Sequence, residues 1–293
     1  MYKALADAIR DAEAQRVPLS TVALELESAD QGRPVAEIRE SLARALAVMR
    51  GAVEQGMVGD LYSASGLVGG DAARLRTGPD GPLAATPFRD ILARALAVQE
   101  VNAAMGVIVA APTAGGAGVL PAVLTGLASA RGIPDEKLLD ALATAGLIGA
   151  VIAERASLSG AEGGCQAETG AGTSMAAGAS VEMLGGSPTQ AGHAVALSLQ
   201  GMLGLVCDPL GGLVELPCVY RNATGSAIAL AGIEMAMAGI TFAIPVDEVI
   251  DVMGEIGREM DVRYRETAGG GLAATPTGRR LARERLYQIK RSD

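Results

Sequence analysis

The residues in this sequence best suited to chemistry are its three cysteines, Cys165 in "GGCQAE", Cys207 in "GLVCDPLGG" and Cys218 in "ELPCVYRN". Each stands beside Gly, Pro or Asp, residues that turn a backbone tightly and leave room for a metal. Three thiols cannot all pair with one another, and in a reducing compartment a spaced cysteine set means metal or redox chemistry more often than a disulfide framework. A zinc site is poorly supported, because there is no Cys-x-x-Cys pair and the single histidine, His193 in "TQAGHAV", reads as a surface or helix-cap residue. That lone imidazole also weakens any Cys-His nucleophilic pair. Three thiolates without a fourth would leave an iron-sulfur cluster with one iron not held by Cys, able to act as a Lewis acid on a substrate oxygen. Plain burial of three small apolar side chains stays open beside this reading.

The elements that must position these thiols are helical. Residues 1 to about 57 carry apolar side chains at three-and-four spacing beside Glu and Arg, with Pro34 suited to a first helical turn. Residues 63 to 87, "SASGLVGGDAARLRTGPDGPLAATP", read as a loop, and "FRDILARALAVQE" as one more amphipathic helix. From Val101 to Ala130 the chain has no charge. A membrane span is argued against by Asn102, Thr113, two prolines and the "TAGGAG" break, so two buried helices joined by a glycine-rich loop are expected there. The apolar block from about 140 to 245 is broken by Gly-rich segments that could turn backbone amides toward one centre. Strand signals are sparse, and neither "GGAG" nor "GGLA" has the strand-Gly-helix context or the Lys of a phosphate loop.

Composition agrees with tight helix packing: 49% of residues are apolar but only 2% aromatic, and Gly counts 39. The fold class expected is all-α, a compact Ala/Gly-rich helical domain whose glycine-rich loops could converge on one site. It is read as one domain over 1–293, with an amphipathic helical part at 1–60, a catalytic core at 61–278 and a charged tail at 279–293. A net charge of -9 lacks the clustered Lys and Arg that phosphate neutralisation needs, so nucleic acid is not expected as a partner. The start, "MYKALADAIRDAEAQ", is charged and amphipathic rather than leader-like, so a cytoplasmic location away from membranes is expected.

Taken together, "SASGLVGGDA" (63–72), "NAAMGVIVAAPTAGGAGVLPAVL" (102–124), "GAEGGCQAETGAGTSMAAGASVEMLGG" (160–186), "LGLVCDPLGGLVELPCVYRNATGSA" (203–227), "IPVDEVIDVMGEIG" (244–257) and "RETAGGGLAATPTG" (265–278) resemble the alpha chain of the iron-sulfur-dependent L-serine dehydratases. Their order spans nearly the whole chain. The resemblance implies a mostly helical domain holding an oxygen-sensitive 4Fe-4S cluster through Cys165, Cys207 and Cys218. It also implies loss of water from L-serine to give, after tautomerisation and hydrolysis, pyruvate and ammonia, without pyridoxal phosphate. Alternatives are the same chemistry on L-threonine or L-cysteine, a non-catalytic cluster-based sensor, and a membrane carrier.

Within that resemblance the substrate carboxylate needs donors. The expected ones are the "PTAGGAG" loop (Thr113, Gly115, Gly116) and the "SASG" loop (Ser63, Ser65, Gly66), with Asn102 and Asn222 nearby, or a bidentate clamp by Arg221. Thr113 and Arg221 are the expected catalytic side chains, while Gln166 and Glu168 are expected to orient a thiolate or the substrate ammonium. No general base is apparent in this chain. The family's beta chain, which usually carries a Ser- and His-containing motif, is therefore the expected partner and source of a catalytic group. The tail "RRLARERLYQIKRSD" has no Cys, so the self-capping of a fourth iron seen in some fused relatives is not expected in cis.

Overall fold

The structure, a computed structural model, describes residues 2–84 and 86–289. Among the described residues the regular structure is helical, in chain order α1 (Leu5–Gln15), α2 (Leu19–Gln31), α3 (Val35–Gly56), α4 (Asp71–Thr77), α5 (Pro87–Ala103), α6 (Val119–Arg131), α7 (Asp135–Arg155), α8 (Gly160–Gly163), α9 (Ala171–Met183), α10 (Pro188–Leu199), α11 (Cys218–Met237), α12 (Val246–Glu259) and α13 (Pro276–Ile289). The expected all-α class is what the chain adopts. No described helix is long and apolar enough to cross a membrane.

Helix α9 is the axis of the fold. Its sequence AGTSMAAGASVEM is small or apolar on every side, so it can be enclosed on all sides, and α6, α7, α10 and α11 pack around it. Two of its hydroxyls bond the segment before it: Thr173 donates to Thr169 O and Ser174 to Gly170 O, while Ser180 Oγ is buried with no partner among the described residues. The N-terminal helices α1 and α2 lie against α10 and α7 and bury Leu5, Leu19 and Val22 in the same core. The polar N-terminal part is thus packed into the same hydrophobic core as α7 and α10.

Three sequence expectations change in detail. Pro34 caps α3 from outside, at the residue before its first turn. The expected loop at 63–87 contains the short helix α4, because buried Glu100 of α5 accepts from the amides of Asp71 and Ala72, at 2.7 and 3.1 Å, and caps it from a distance. The uncharged run from Val101 is only partly helical. Met105, in left-handed conformation (φ 62°), ends α5; the chain then runs over the surface, with Met105 86% and Val107 74% exposed, and turns inward so that Gly115 to Gly118 are buried before α6 begins. Of the charged tail, 279–289 continues α13 and 290–293 lies outside the described residues.

Candidate metal and catalytic site

Three separate breaks in the helices bring the cysteines together. Cys165 follows the single turn α8 and the residue Gly164, whose backbone (φ 76°, ψ -175°) is open to glycine and strained for other residues. A Cβ there would also lie 2.8 Å from both Leu205 O and Met260 Sδ. The chain then makes a π-turn over Gln166–Gly170, a widened geometry common at functional sites, before entering α9. Cys207 is held in an isolated bridge with Arg265: its amide donates to Tyr264 O and its carbonyl accepts from Glu266 N, both at 2.8 Å. Cys218 is the first residue of α11, where the helix N-terminus favours a thiolate.

All three thiols are free and buried, with exposures of 1, 1 and 3%. The neighbouring Cys207 and Cys218 thiols, with the charge of Arg221, pull the Cys165 thiol down to about 3 against the effect of burial. The Cys165 thiolate, reinforced by burial, pushes Cys207 and Cys218 up.

Glu168, on the π-turn, completes the cluster of donors. Its Oε1 accepts from Thr113 Oγ1 at 2.7 Å and its Oε2 lies 4.0 Å from Cys207 Sγ. The ligand atoms of Cys165, Glu168 and Cys207 all fall within 4.8 Å of one another. Glycines make the space: a Cβ on Gly160 would lie 2.6 Å from Glu168 Oε2 and 3.3 Å from Cys207 Sγ, and one on Gly115 would lie 2.9 Å from the same carboxylate. Burial pushes the Glu168 carboxyl up to about 7, helped by the charges of Cys165 and Glu266 and opposed by the Thr113 hydrogen bond. Soft, convergent sulfur donors in a pocket kept free of side chains fit an iron-sulfur group held from one side.

Arg221 faces the sulfurs from α11. Its Nη1 donates to Cys165 Sγ at 3.4 Å and Val206 O at 2.8 Å, and its Nη2 pairs with Asp208 Oδ1 at 2.7 Å. Asp208 in turn accepts from Leu272 N at 2.6 Å, which brings the "GGGLAA" segment back to the site. The expected clamp on a substrate carboxylate is thus already engaged with protein groups.

The remaining expected residues divide into two groups. Asn222 is fully buried and spans its neighbours, donating to Gly115 O and Cys218 O and accepting from Gly118 N. With Gln99 and Asn102 of α5, which donate to Ala114 O, it fixes the carbonyl side of the loop carrying Thr113, Gly115 and Gly116. Ser63 and Ser65 are buried on Glu215, one turn before Cys218, with Oγ contacts from both and the Ser65 amide at 3.3 Å; Gly66 is exposed at their turn. Gln166 holds α12 and the segment before Cys207, through Met253 O and Gly204 N. His193 is half-buried on α10, accepting from Phe242 N, away from these groups. Asp208 and Glu215 were not singled out from the sequence, although each stands within three residues of a cysteine.

A family model, the serine dehydratase alpha chain, matches residues 14–273. The chain belongs to the serine dehydratase alpha-chain family. It is 46% identical over 97% of its length to the probable L-serine dehydratase alpha chain of Bacillus subtilis, covering 95% of that protein. It is also 46% identical to the L-serine dehydratase alpha chain of Peptoniphilus asaccharolyticus, over 68% of this chain and 70% of that one. Against the L-serine dehydratase of Streptomyces coelicolor it is 42% identical over 89% of its own length, but spans only 58% of that protein. The serine dehydratase alpha-chain match contains all three cysteines, Glu168 and Arg221.

Proposed function

We propose that this chain is the alpha subunit of a cytoplasmic L-serine dehydratase that eliminates water from L-serine to give aminoacrylate, then pyruvate and ammonia, using a 4Fe-4S cluster. The observation that carries the reading is the buried convergence of the Cys165 and Cys207 thiols on the Glu168 carboxylate, with the buried third thiol, Cys218, heading α11 beside Cys165. Cys165, Cys207 and Cys218 would hold the cluster. When bound, it supplies a Lewis acid that takes up charge developing on the serine hydroxyl.

The chain's own residues supply the rest. Glu168 is the carboxylate placed to handle a proton at the reacting carbon, enclosed by Gly115 and Gly160 and oriented by Thr113. This gives the chain a base candidate that its sequence alone did not reveal. The amides of Ala114 and Gly115 donate to no protein acceptor among the described residues, whereas the carbonyls of the same residues are fixed by Gln99, Asn102 and Asn222. That polarity suits the substrate carboxylate. Arg221 neutralises the sulfur centre, and Asn222, Ser63 and Ser65 position loops.

The beta chain is the proposed partner, closing the site and contributing a second acid-base group. Support comes from the Streptomyces coelicolor relative, more than two fifths of which lies outside the match. Serine-dependent pyruvate formation, measured anaerobically with this chain alone and with a beta chain, tests the proposal. Turnover is expected only from the pair; a full rate from this chain alone contradicts the partner's role.

A further inference from the structure

A cavity of about 310 Å³ lies behind the cysteine segments, lined among others by Ser157, Glu162, Gly163, Ala167, Arg258 and Arg265. Arg265 Nε is buried in the protein with no acceptor, an unfavourable arrangement for a charged donor. Arg258 pairs with no acid among the described residues, and its Nη1 would lie 3.2 Å from a Cβ on Gly254, so its guanidinium lies back along α12 beside the cavity. Arg39, Arg50, Arg94, Arg155 and Arg221 each face an acid, whereas neither of the two guanidiniums at this cavity forms an ion pair among the described residues. The one carboxylate there, Glu162, already accepts from Ser157 Oγ at 2.6 Å. The cavity therefore carries an excess of positive charge with unused planar donors.

We propose that this cavity binds a small organic anion bearing carboxylate groups, with Arg265 and Arg258 as its donors. Guanidinium forks match carboxylates bidentately, and the volume holds a ligand of several heavy atoms rather than a bare ion. The site is separate from the one that takes serine, but shares its walls. Arg265 is bridged by backbone to Cys207, while Gly163 and Ala167 flank Cys165. Occupancy is thereby felt at two of the three cysteines, a coupling that rests on the serine dehydratase reading.

Calorimetric titration of the two-chain enzyme with succinate, at constant ionic strength, tests the site. Inorganic phosphate and chloride serve as comparison ligands. One saturable succinate site per alpha chain is expected, weakened about tenfold or more in Arg265→Gln and severalfold in Arg258→Gln. Arg258 is exposed, so its variant remains informative if Arg265→Gln folds poorly. Absence of saturable binding, equal binding by phosphate, or unchanged affinity in both variants overturns the site. Binding without any change in serine turnover overturns the coupling alone. An enzyme that binds succinate but never turns over serine instead sinks the catalytic reading while the site stands.

Discussion

Arg221 joins Cys165 to Asp208: one end of its guanidinium donates to the Cys165 sulfur at 3.4 Å and the other pairs with the Asp208 carboxylate at 2.7 Å. The side chains of Arg221 and Asp208 are only 16 and 3% exposed, so each charge depends on the other for compensation. Burial alone would favour a neutral arginine, but the charges of Cys165 and Asp208 outweigh it and raise its pKa above the ordinary value. Removing the cation leaves a buried carboxylate and a buried thiolate facing each other.

Arg221→Ala is accordingly expected to destabilise the fold by about 3–5 kcal/mol. Arg221→Lys keeps the charge but not the fork, and falls between. Denaturant unfolding monitored by circular dichroism measures both. If Arg221→Ala keeps wild-type stability and loses only kcat/KM, the residue is a substrate clamp after all.

Glu168→Gln keeps the volume and a hydrogen-bonding partner for Thr113 but cannot take a proton. A fall in kcat of about 10²–10⁴-fold is expected, with iron content unchanged. Iron and sulfide analysis beside steady-state kinetics separates the roles: loss of iron from the variant would make Glu168 a ligand rather than a proton acceptor.

Two helical glycines should respond in opposite senses. A Cβ on Gly178 of α9 would lie 2.6 Å from Ile148 Cδ1 and 2.7 Å from Val195 Cγ2, so Gly178→Ala is expected to cost about 1–3 kcal/mol. A Cβ on Gly146 of α7 meets nothing within 4 Å, and Gly146→Ala should stabilise by roughly 0.5–1 kcal/mol through helix propensity. Thermal melts of the pair check the contrast.

Much of this was legible in the sequence, because the helices follow apolar periodicity and the cysteine motifs mark the candidate metal site. What was not legible depends on contacts distant in sequence. Glu100 caps α4 from 28 residues away, a pairing that local turn signals in 63–87 cannot reveal. Arg221 was read as free for substrate because its partner Asp208 lies on another segment. Glu168 looked like a residue that merely orients others, since its burial and the side-chain-free walls at Gly115 and Gly160 emerge only when three loops meet.

Glu182 gives the fold a pH dependence remote from the three cysteines. Its carboxylate accepts from Thr144 Oγ1 at 2.9 Å and from Ser20 N, and burial raises its pKa above the ordinary 4.5. A carboxyl whose folded pKa is raised contributes most stability below the unfolded value and loses it as pH rises through the folded one. Wild type should therefore lose stability relative to Glu182→Gln as pH climbs from about 4.5 toward neutrality. Melting temperatures at pH 5 and 8 measure this; parallel profiles for the two proteins would contradict it.

If serine elimination takes place at a centre held by Cys165, Cys207 and Cys218, the thiols must each be needed for turnover. The rate of pyruvate formation from L-serine by the anaerobically iron-loaded two-chain enzyme, with wild-type alpha chain and with Cys165→Ser, Cys207→Ser and Cys218→Ser in turn, measures this. Sustained turnover by wild type and its loss in every variant are expected. Wild-type turnover surviving in any one of the three would contradict it.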